Sequence, residues 1–291
     1  MNPNPALKKL GLSQTDRIAI IHTDDIGMCQ ASVTAFAELN AAGIISSGAV
    51  MVPCPWFSAA ATYCRQHPQA DMGVHLTITS EWDAFRWGPI STRDAASGLV
   101  DDEGYFYRGY PDAIERGDAD AVAIEFEAQV MRAKQAGIEP THMDSHMGTA
   151  LQPKFISAYV QTAMRHKLPV MIPRDVAAVT QDFERIKVGQ KLVAMLDSEG
   201  VPMVDYVVGS DLGNHTDKLD EMKRKASELK PGITHFLMHP SHDTPELRTI
   251  CSDWRARVAD FETFMREEFR EHLQSIGVQV IGYKTLRELY R

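Results

Sequence analysis

One stretch near the start of this sequence decides the fold: Arg17-Ile18-Ala19-Ile20-Ile21-His22-Thr23-Asp24-Asp25. Its short apolar run is rich in β-branched residues, which predicts a buried strand. Asp24 and Asp25 come at the carboxyl end of that strand, where α/β folds collect their reactive groups. One carboxylate of such a pair can bind a metal ion while its neighbour moves a proton. These residues alone leave either role open to either aspartate.

Strand-like and helix-like segments alternate along the 291 residues. Strands are predicted at residues 17–23, 47–52, 72–78, 140–145, 169–172, 202–206, 233–238 and 278–281. Helical spacing and glycine or proline stops predict helices at 32–42, 118–136, 216–230 and 253–274. This alternation predicts a mostly parallel sheet, and seven or eight such units favour a distorted (β/α) barrel over an open sheet. No repeat or linker interrupts the pattern, so residues 1–291 are predicted to form a single domain.

Composition excludes several classes of function. Thirty basic residues against thirty-nine acidic ones give a net charge of −9, which argues against a nucleic-acid partner. No apolar stretch approaches the ~20 residues that span a bilayer, so no membrane partner is expected. The first residues lack the apolar core of a signal peptide. The four cysteines lack disulfide or zinc-finger spacing and are interpreted as reduced thiols, which favours a cytoplasmic protein.

Histidines and a further aspartate follow other predicted strands. His75 and His239 each come at a strand end, although a lone histidine there is also compatible with an ordinary core or loop contact. His142, Asp144 and His146 alternate along one strand, so they should share a face and converge. Two imidazoles and a carboxylate are costly to bury without a purpose, which favours a metal site over the alternative of a polar core network.

These candidates should meet Asp24 and Asp25, because the carboxyl ends of parallel barrel strands lie on one face. One carboxylate with two imidazoles is a standard ligand set for a catalytic divalent metal. The second carboxylate would supply a base for water, and a histidine across the site would protonate a leaving group.

Two other features border this face. Arg174 follows the fifth predicted strand, where it could bind a substrate oxygen or form an ordinary ion pair. Residues 81–111 form a long segment rich in tryptophan, tyrosine and phenylalanine. Loops of this length are often functional, so its aromatic side chains either contact a substrate or fold onto the barrel surface.

Four motifs resemble those of the YdjC-like (ChbG) carbohydrate deacetylases: Thr23-Asp24-Asp25-Ile26-Gly27, Gly73-Val74-His75-Leu76, Thr141-His142-Met143-Asp144-Ser145-His146 and Met238-His239-Pro240. They occur in the family's order and span nearly the whole chain. The resemblance implies a barrel related to that of the polysaccharide deacetylases. It also implies metal-dependent hydrolysis of an N-acetyl group on a small carbohydrate such as a chitooligosaccharide, and a homodimer.

The resemblance also implies a role for each matching residue. It gives one divalent ion, zinc or magnesium, three ligands: Asp25, His75 and His142. Asp24 becomes the general base and His239 the general acid. His146 and Asp144 of the third motif are candidates for substrate contact or for support of the ligands. Arg174, outside the motifs, is a further candidate from its position after the fifth predicted strand.

The motifs depart from the family pattern at three places. Met147-Gly148 stands where further histidines are common, His22-Thr23 replaces Asn-Ala, and Ser241 replaces glycine. These changes border the expected site and bear on the substrate more than on the metal. A metal-dependent sugar isomerase or epimerase and a non-catalytic sugar-binding protein stay open as alternatives.

Overall fold

Parallel strands curl into a barrel in the computed structural model of this chain, which describes residues 3–290. The strands within these residues are β1 (Arg17–Ile26), β2 (Ser47–Val50), β3 (Met72–Leu76), β4 (Met143–Ser145), β5 (Val170–Pro173), β6 (Met203–Val204), β7 (Tyr206–Gly209), β8 (Gly232–Met238) and β9 (Val278–Val280). Every pair of neighbouring strands is parallel. The prediction of a distorted parallel barrel is therefore confirmed.

The barrel is nearly closed at a seam beside Asp205. The strands follow the order β6-β5-β4-β3-β2-β1-β8-β7, and β9 pairs with the first residues of β1. The two ends of this order, β6 and β7, are separated in sequence by Asp205 alone. Its backbone N–H donates to the Ile233 carbonyl at 2.7 Å, and its carboxylate accepts the Ile233 N–H at 2.8 Å. The predicted strand at 202–206 is thus two strands, because the backbone changes partners at Asp205.

Twelve α-helices surround the sheet within residues 3–290: α1 (Pro5–Lys9), α2 (Gln30–Ala41), α3 (Phe57–Gln66), α4 (Tyr110–Arg116), α5 (Ala119–Gln135), α6 (Ile156–His166), α7 (Phe183–Ser198), α8 (Lys218–Ser227), α9 (Pro245–Ile250), α10 (Trp254–Phe264), α11 (Glu267–Ser275) and α12 (Tyr283–Glu288). The predicted helix at 253–274 is two helices, because Arg266 adopts an extended conformation. None of the helices described is long and apolar enough to cross a membrane.

An apolar cluster closes the barrel near the amino ends of β1 and β8. It contains Leu7 of α1, Ile18 and Ile20 of β1, and Tyr283 and Leu286 of α12. A larger apolar cluster lies between the sheet and the surrounding helices. Buried polar side chains consequently lie beyond this cluster, in the barrel interior and at its carboxyl end, where the residues of β1 are still buried.

The aromatic segment at 81–111 is attached to the body of the protein by both backbone and side chains. The Trp87 indole donates to the Thr79 carbonyl at 2.7 Å, and the Phe106 N–H donates to the Trp87 carbonyl at 3.1 Å. Trp87 and Phe106 are buried, whereas Tyr105 and Tyr110 are exposed. Part of this loop therefore packs into the protein and part of it lines the surface.

Tyr159 of α6 connects β4 to β5. These two strands are paired directly at one position, Met143 with Val170. Its hydroxyl donates to the Met143 carbonyl at 2.6 Å and accepts the Met171 N–H at 3.1 Å. The side chain is fully buried, so water cannot replace either bond. This hydroxyl holds the strand that carries Asp144.

We expect Tyr159→Phe to lower the free energy of unfolding by about 1–3 kcal/mol, because it leaves two buried backbone groups without a partner. Urea denaturation measures the change. Tyr110→Phe is the matched control, since its side chain is exposed and its loss should fall within about 0.5 kcal/mol. Equal stability of the two variants would contradict the structural role of the Tyr159 hydroxyl.

Candidate metal and catalytic site

The end of β1 directs two neighbouring carboxylates toward the same histidine. Adjacent residues in a regular strand point to opposite faces, so Asp24 and Asp25 would ordinarily diverge. The β1–β2 register shifts between Thr23 and Ile26, and Asp25 adopts a left-handed φ of 59°. Such irregularities redirect a side chain. As a result, Asp25 Oδ1 lies 3.3 Å and Asp24 Oδ2 lies 3.9 Å from His75 Nε2.

His75 is oriented from the neighbouring strand. The β3–β4 register places it beside Asp144, and its Nδ1 lies 2.7 Å from Asp144 Oδ1. Because Nδ1 donates to Asp144, Nε2 is the nitrogen that would bind a metal ion, and the ion would replace the Nε2 proton that faces Asp25. Burial lowers the pKa of His75, but the Asp144 and Asp24 carboxylates outweigh burial and hold it well above its ordinary value.

His146 approaches Asp25 from the other side. Its Nδ1 lies 3.0 Å from Asp25 Oδ1, and its Nε2 lies 3.0 and 3.1 Å from the two Glu81 oxygens. Burial lowers the pKa of His146, but Glu81 and Asp25 together raise it to about 9. Sequence reasoning did not identify Glu81, because it opens a loop and shares no spacing with the histidines.

Asp25, His75 and His146 form one buried group whose donor atoms lie within 4.8 Å of one another. Each imidazole has a carboxylate on its far side, which is how proteins orient metal-binding histidines. One carboxylate oxygen and two ring nitrogens suit a divalent ion with an open coordination position. The structure therefore groups His146, rather than the predicted His142, with Asp25 and His75.

The spacing along a strand explains this difference. Alternate residues share a face, but they are about 6.6 Å apart, so the first and third of a row are about 13 Å apart. His142, Asp144 and His146 therefore line up along the barrel instead of converging on one point. β4 ends before His146, which begins a 3-10 helix (His146–Leu151) at the rim. Asp144 lies between the two histidines and contacts His75.

His142 lies among other buried rings. Its Nε2 is 2.9 Å from the Nε2 of His22, and its ring stacks on Tyr283 with centroids 3.7 Å apart. The ring occupies the space over Gly73, where a Cβ would lie 2.4 Å from it. The glycine of the Gly73-Val74-His75-Leu76 motif is therefore required by the position of His142.

Asp24 is bracketed by two histidines at the carboxyl end of the barrel. Its Oδ1 accepts a hydrogen bond from His22 Nδ1 at 2.8 Å, and its Oδ2 lies 3.8 Å from His239 Nε2. Burial raises the pKa of Asp24, but His75 and the hydrogen bond from His22 outweigh it and hold the pKa well below its ordinary value. Asp24 is therefore a carboxylate with one oxygen fixed and one facing the site.

His239 follows β8 and is the more open partner of Asp24. Its side chain is 16% exposed, compared with 0% for His22. The His239 backbone N–H donates to Asp260 Oδ2 at 2.9 Å, and Ser210 donates to the same oxygen at 2.7 Å. Asp260 thus fixes the turn that presents the imidazole.

Arg257 of α10 also contacts the group, although no local sequence signal pointed to it. Its Nη1 donates to Asp25 Oδ2 at 2.7 Å, while Asp253 accepts its Nε and Nη2 at 2.9 and 3.1 Å. Burial raises the pKa of Asp25, but His146 and Arg257 outweigh burial and hold it well below its ordinary value. Because Arg257 occupies Oδ2, Asp25 presents Oδ1 to the two histidines.

Arg174 lies at the barrel seam. It is buried and forms ion pairs with Asp197 and with Asp205, the latter at 3.3 Å. Its backbone N–H donates to the Val204 carbonyl at 2.9 Å. These contacts join the end of β5 to α7 and to the seam, so the structure does not place Arg174 in the group around Asp25.

Comparison with known proteins identifies relatives over almost the whole chain. A family model described as YdjC-like protein matches residues 18–275. A carbohydrate deacetylase of Thermus thermophilus is 30% identical over 275 residues, which cover 92% of this chain and 93% of that protein. A carbohydrate deacetylase of Thermoanaerobacter pseudethanolicus is 27% identical over 269 residues, which cover 92% and 98%.

The fold is shared with a solved structure. A proposed cellobiose-phosphate cleavage protein from Enterococcus faecalis superposes with a TM-score of 0.78 over 93% of this chain and 99% of that chain, at 22% identity. The family match covers most of the chain and includes all four motifs, which confirms the resemblance that they indicated. The chain belongs to the YdjC-like protein family.

Proposed function

We propose that this chain is a metal-dependent hydrolase that removes the acetyl group from an N-acetylated sugar, such as a chitooligosaccharide. One observation carries the proposal: an ionised Asp24 lies directly beside the buried group of Asp25, His75 and His146. A base next to a three-ligand metal group is the arrangement that metal-assisted hydrolysis requires. The relatives named carbohydrate deacetylase support the sugar substrate.

The donor atoms fit a divalent ion. Two ring nitrogens and one carboxylate oxygen suit zinc, whereas magnesium prefers a set made of oxygens. Of the two ions expected from the sequence, the proposal favours zinc. When bound, the ion would polarise the amide carbonyl and activate water. The single carboxylate in the group favours hydrolysis over the isomerase alternative, which usually uses several.

The chain's own residues divide the proton transfers. Asp24 takes a proton from the attacking water through Oδ2, while the hydrogen bond from His22 keeps Oδ1 in place. His239, on the open side of Asp24, donates a proton to the departing sugar nitrogen. The products are acetate and an amino sugar.

The aromatic loop supplies one wall of the proposed site. Glu81 at its start contacts His146, and the Trp87 ring lies 6.4 Å from the His146 ring. The Trp82 ring lies 5.8 Å from the Arg257 guanidinium carbon. Because ligand pockets are commonly lined by aromatic side chains, we propose that this segment faces the sugar.

Cellular location and assembly are part of the same proposal. All four cysteines, Cys29, Cys54, Cys64 and Cys251, are buried and unpaired, which supports a reducing cytoplasmic environment. A homodimer is proposed from the family resemblance.

The direct test of function is acetate release from N-acetylated chitooligosaccharides. We expect the chelated protein to be inactive and the zinc-restored protein to be active, because the ion supplies the electrophile. Acetate is quantified by a coupled enzymatic assay. Activity that survives stringent chelation would contradict the metal-dependent reaction, and isomerisation without acetate would favour the isomerase.

Asp24→Asn should lower kcat by about 10²–10⁴-fold, because the amide cannot take the proton from water. The bound zinc, measured by mass spectrometry, should not change, because Asp24 is outside the ligand group. Asp220→Asn is the control, since that carboxylate is exposed on α8. A variant with unaltered kcat would refute the role of Asp24 as base.

His146→Gln distinguishes the ligand set seen in the structure from the predicted one. Losing partners outside the ligand shell already costs about 10–100-fold in metal affinity, so losing a ligand should cost at least about 100-fold. Titration of the chelated variant with zinc, followed by acetate release, measures this loss. His215→Gln on the exposed surface is the control. A normal zinc requirement in His146→Gln would restore His142 as the third ligand of this ion.

A further inference from the structure

We propose that a second divalent metal ion binds deeper in the barrel, held by His22, His142 and Asp144, with His235 as the fourth ligand. This ion is distinct from the one proposed beside Asp24, and the proposal does not depend on the reaction catalysed.

Three donor atoms already form a triangle of suitable size. His22 Nε2 lies 2.9 Å from His142 Nε2 and 3.6 Å from Asp144 Oδ2, and the third side, from His142 Nε2 to Asp144 Oδ2, is 3.9 Å. The point equidistant from these atoms lies about 2.0 Å from each, which matches the lengths of Zn–N and Zn–O bonds. All three residues are at most 1% exposed.

Two buried donor atoms of these four residues have no hydrogen-bond partner among residues 3–290. They are Asp144 Oδ2 and His235 Nε2. His235 belongs to a buried group with His22, Asp24 and Asp144 whose donor atoms lie within 4.8 Å of one another. Unpartnered polar atoms in an interior cost free energy, and a bound cation would satisfy both.

The hydrogen bonds at the Nδ1 atoms of His22 and His142 set the direction of their Nε2 atoms. His22 Nδ1 donates to the ionised Asp24 at 2.8 Å, which leaves the His22 Nε2 lone pair facing inward. Thr141 donates to Asp71 at 2.5 Å, so its oxygen accepts from His142 Nδ1 at 3.0 Å. The His142 Nε2 lone pair then faces inward, 2.9 Å from His22 Nε2. When both rings are neutral, two lone pairs face each other there, and a proton or a metal ion between them relieves their repulsion.

The charges around this position suit a divalent ion. Two nearby carboxylates, Asp24 and Asp144, balance a divalent charge. Imidazole-rich sets favour zinc or another transition metal over magnesium.

Asp144 would link the two sites. Its Oδ1 orients His75 of the outer group, which is Asp25, His75 and His146. Its Oδ2 points to the inner triangle formed with His22 and His142. An inner ion would also fix His22, whose Nδ1 holds Asp24. The inner ion is thus expected to position Asp24 and His75 without touching substrate. Because its ligands lie deeper in the barrel than Asp25, His75 and His146, it should exchange more slowly than the outer ion.

Metal stoichiometry tests this proposal. Zinc-loaded protein, freed of excess metal on a desalting column, should carry two zinc ions per chain by plasma mass spectrometry. His22→Asn, the residue common in the family, and His235→Gln should each carry one ion. His146→Gln should also carry one ion, because only the outer site is lost. Circular dichroism verifies that each variant is folded.

Three outcomes would overturn the inner site: one ion per chain in the unaltered protein, no ion in folded His146→Gln, or two ions in both His22→Asn and His235→Gln. If the inner variants do not fold, the unaltered protein and His146→Gln still decide. Failure of the proposed function would be distinguishable, since a protein with two ions and no acetate release refutes the deacetylase and leaves the inner site standing.

Discussion

Asp144 orients His75 through a 2.7 Å hydrogen bond, and the metal chemistry proposed for this barrel depends on that contact. The register of β3 against β4 creates it, because the two residues are direct partners across the strands. The bond sets which nitrogen of His75 faces Asp25. Tyr159, which fixes the strand carrying Asp144, and Gly73, which makes room for His142, support the same arrangement from two sides.

The two adjacent aspartates separate their roles through a local irregularity of the backbone. A regular strand would turn one of them away, but the left-handed φ at Asp25 brings both toward His75. Their remaining partners then differ. Arg257 and His146 contact Asp25, while His22 and His239 flank Asp24. In the proposed outer site, Asp25 would therefore be a fixed ligand and Asp24 a base whose second oxygen is open.

Much of the fold was predictable because strand and helix patterns are local. The apolar run of β1, the polar residues at strand ends and the alternation of elements all indicated a parallel barrel. The split at Asp205 was not predictable, because it depends on pairing with distant Ile233. The grouping of His146 with Asp25 was not predictable, because side-chain alternation gives the face of a strand that a residue occupies. It does not give how far along the barrel axis that residue lies. Arg257 was not predictable either, since a charged residue in an amphipathic helix usually faces water.

Asp25, His75 and His146 are proposed to bind the ion beside Asp24. The most direct measurement is a crystal structure of the zinc-loaded protein, with anomalous diffraction recorded on both sides of the zinc absorption edge. We expect a zinc peak bonded to Asp25 Oδ1, His75 Nε2 and His146, with Asp24 adjacent and not bonded. A peak bonded to His142 in place of His146, or no peak beside Asp25, would contradict it.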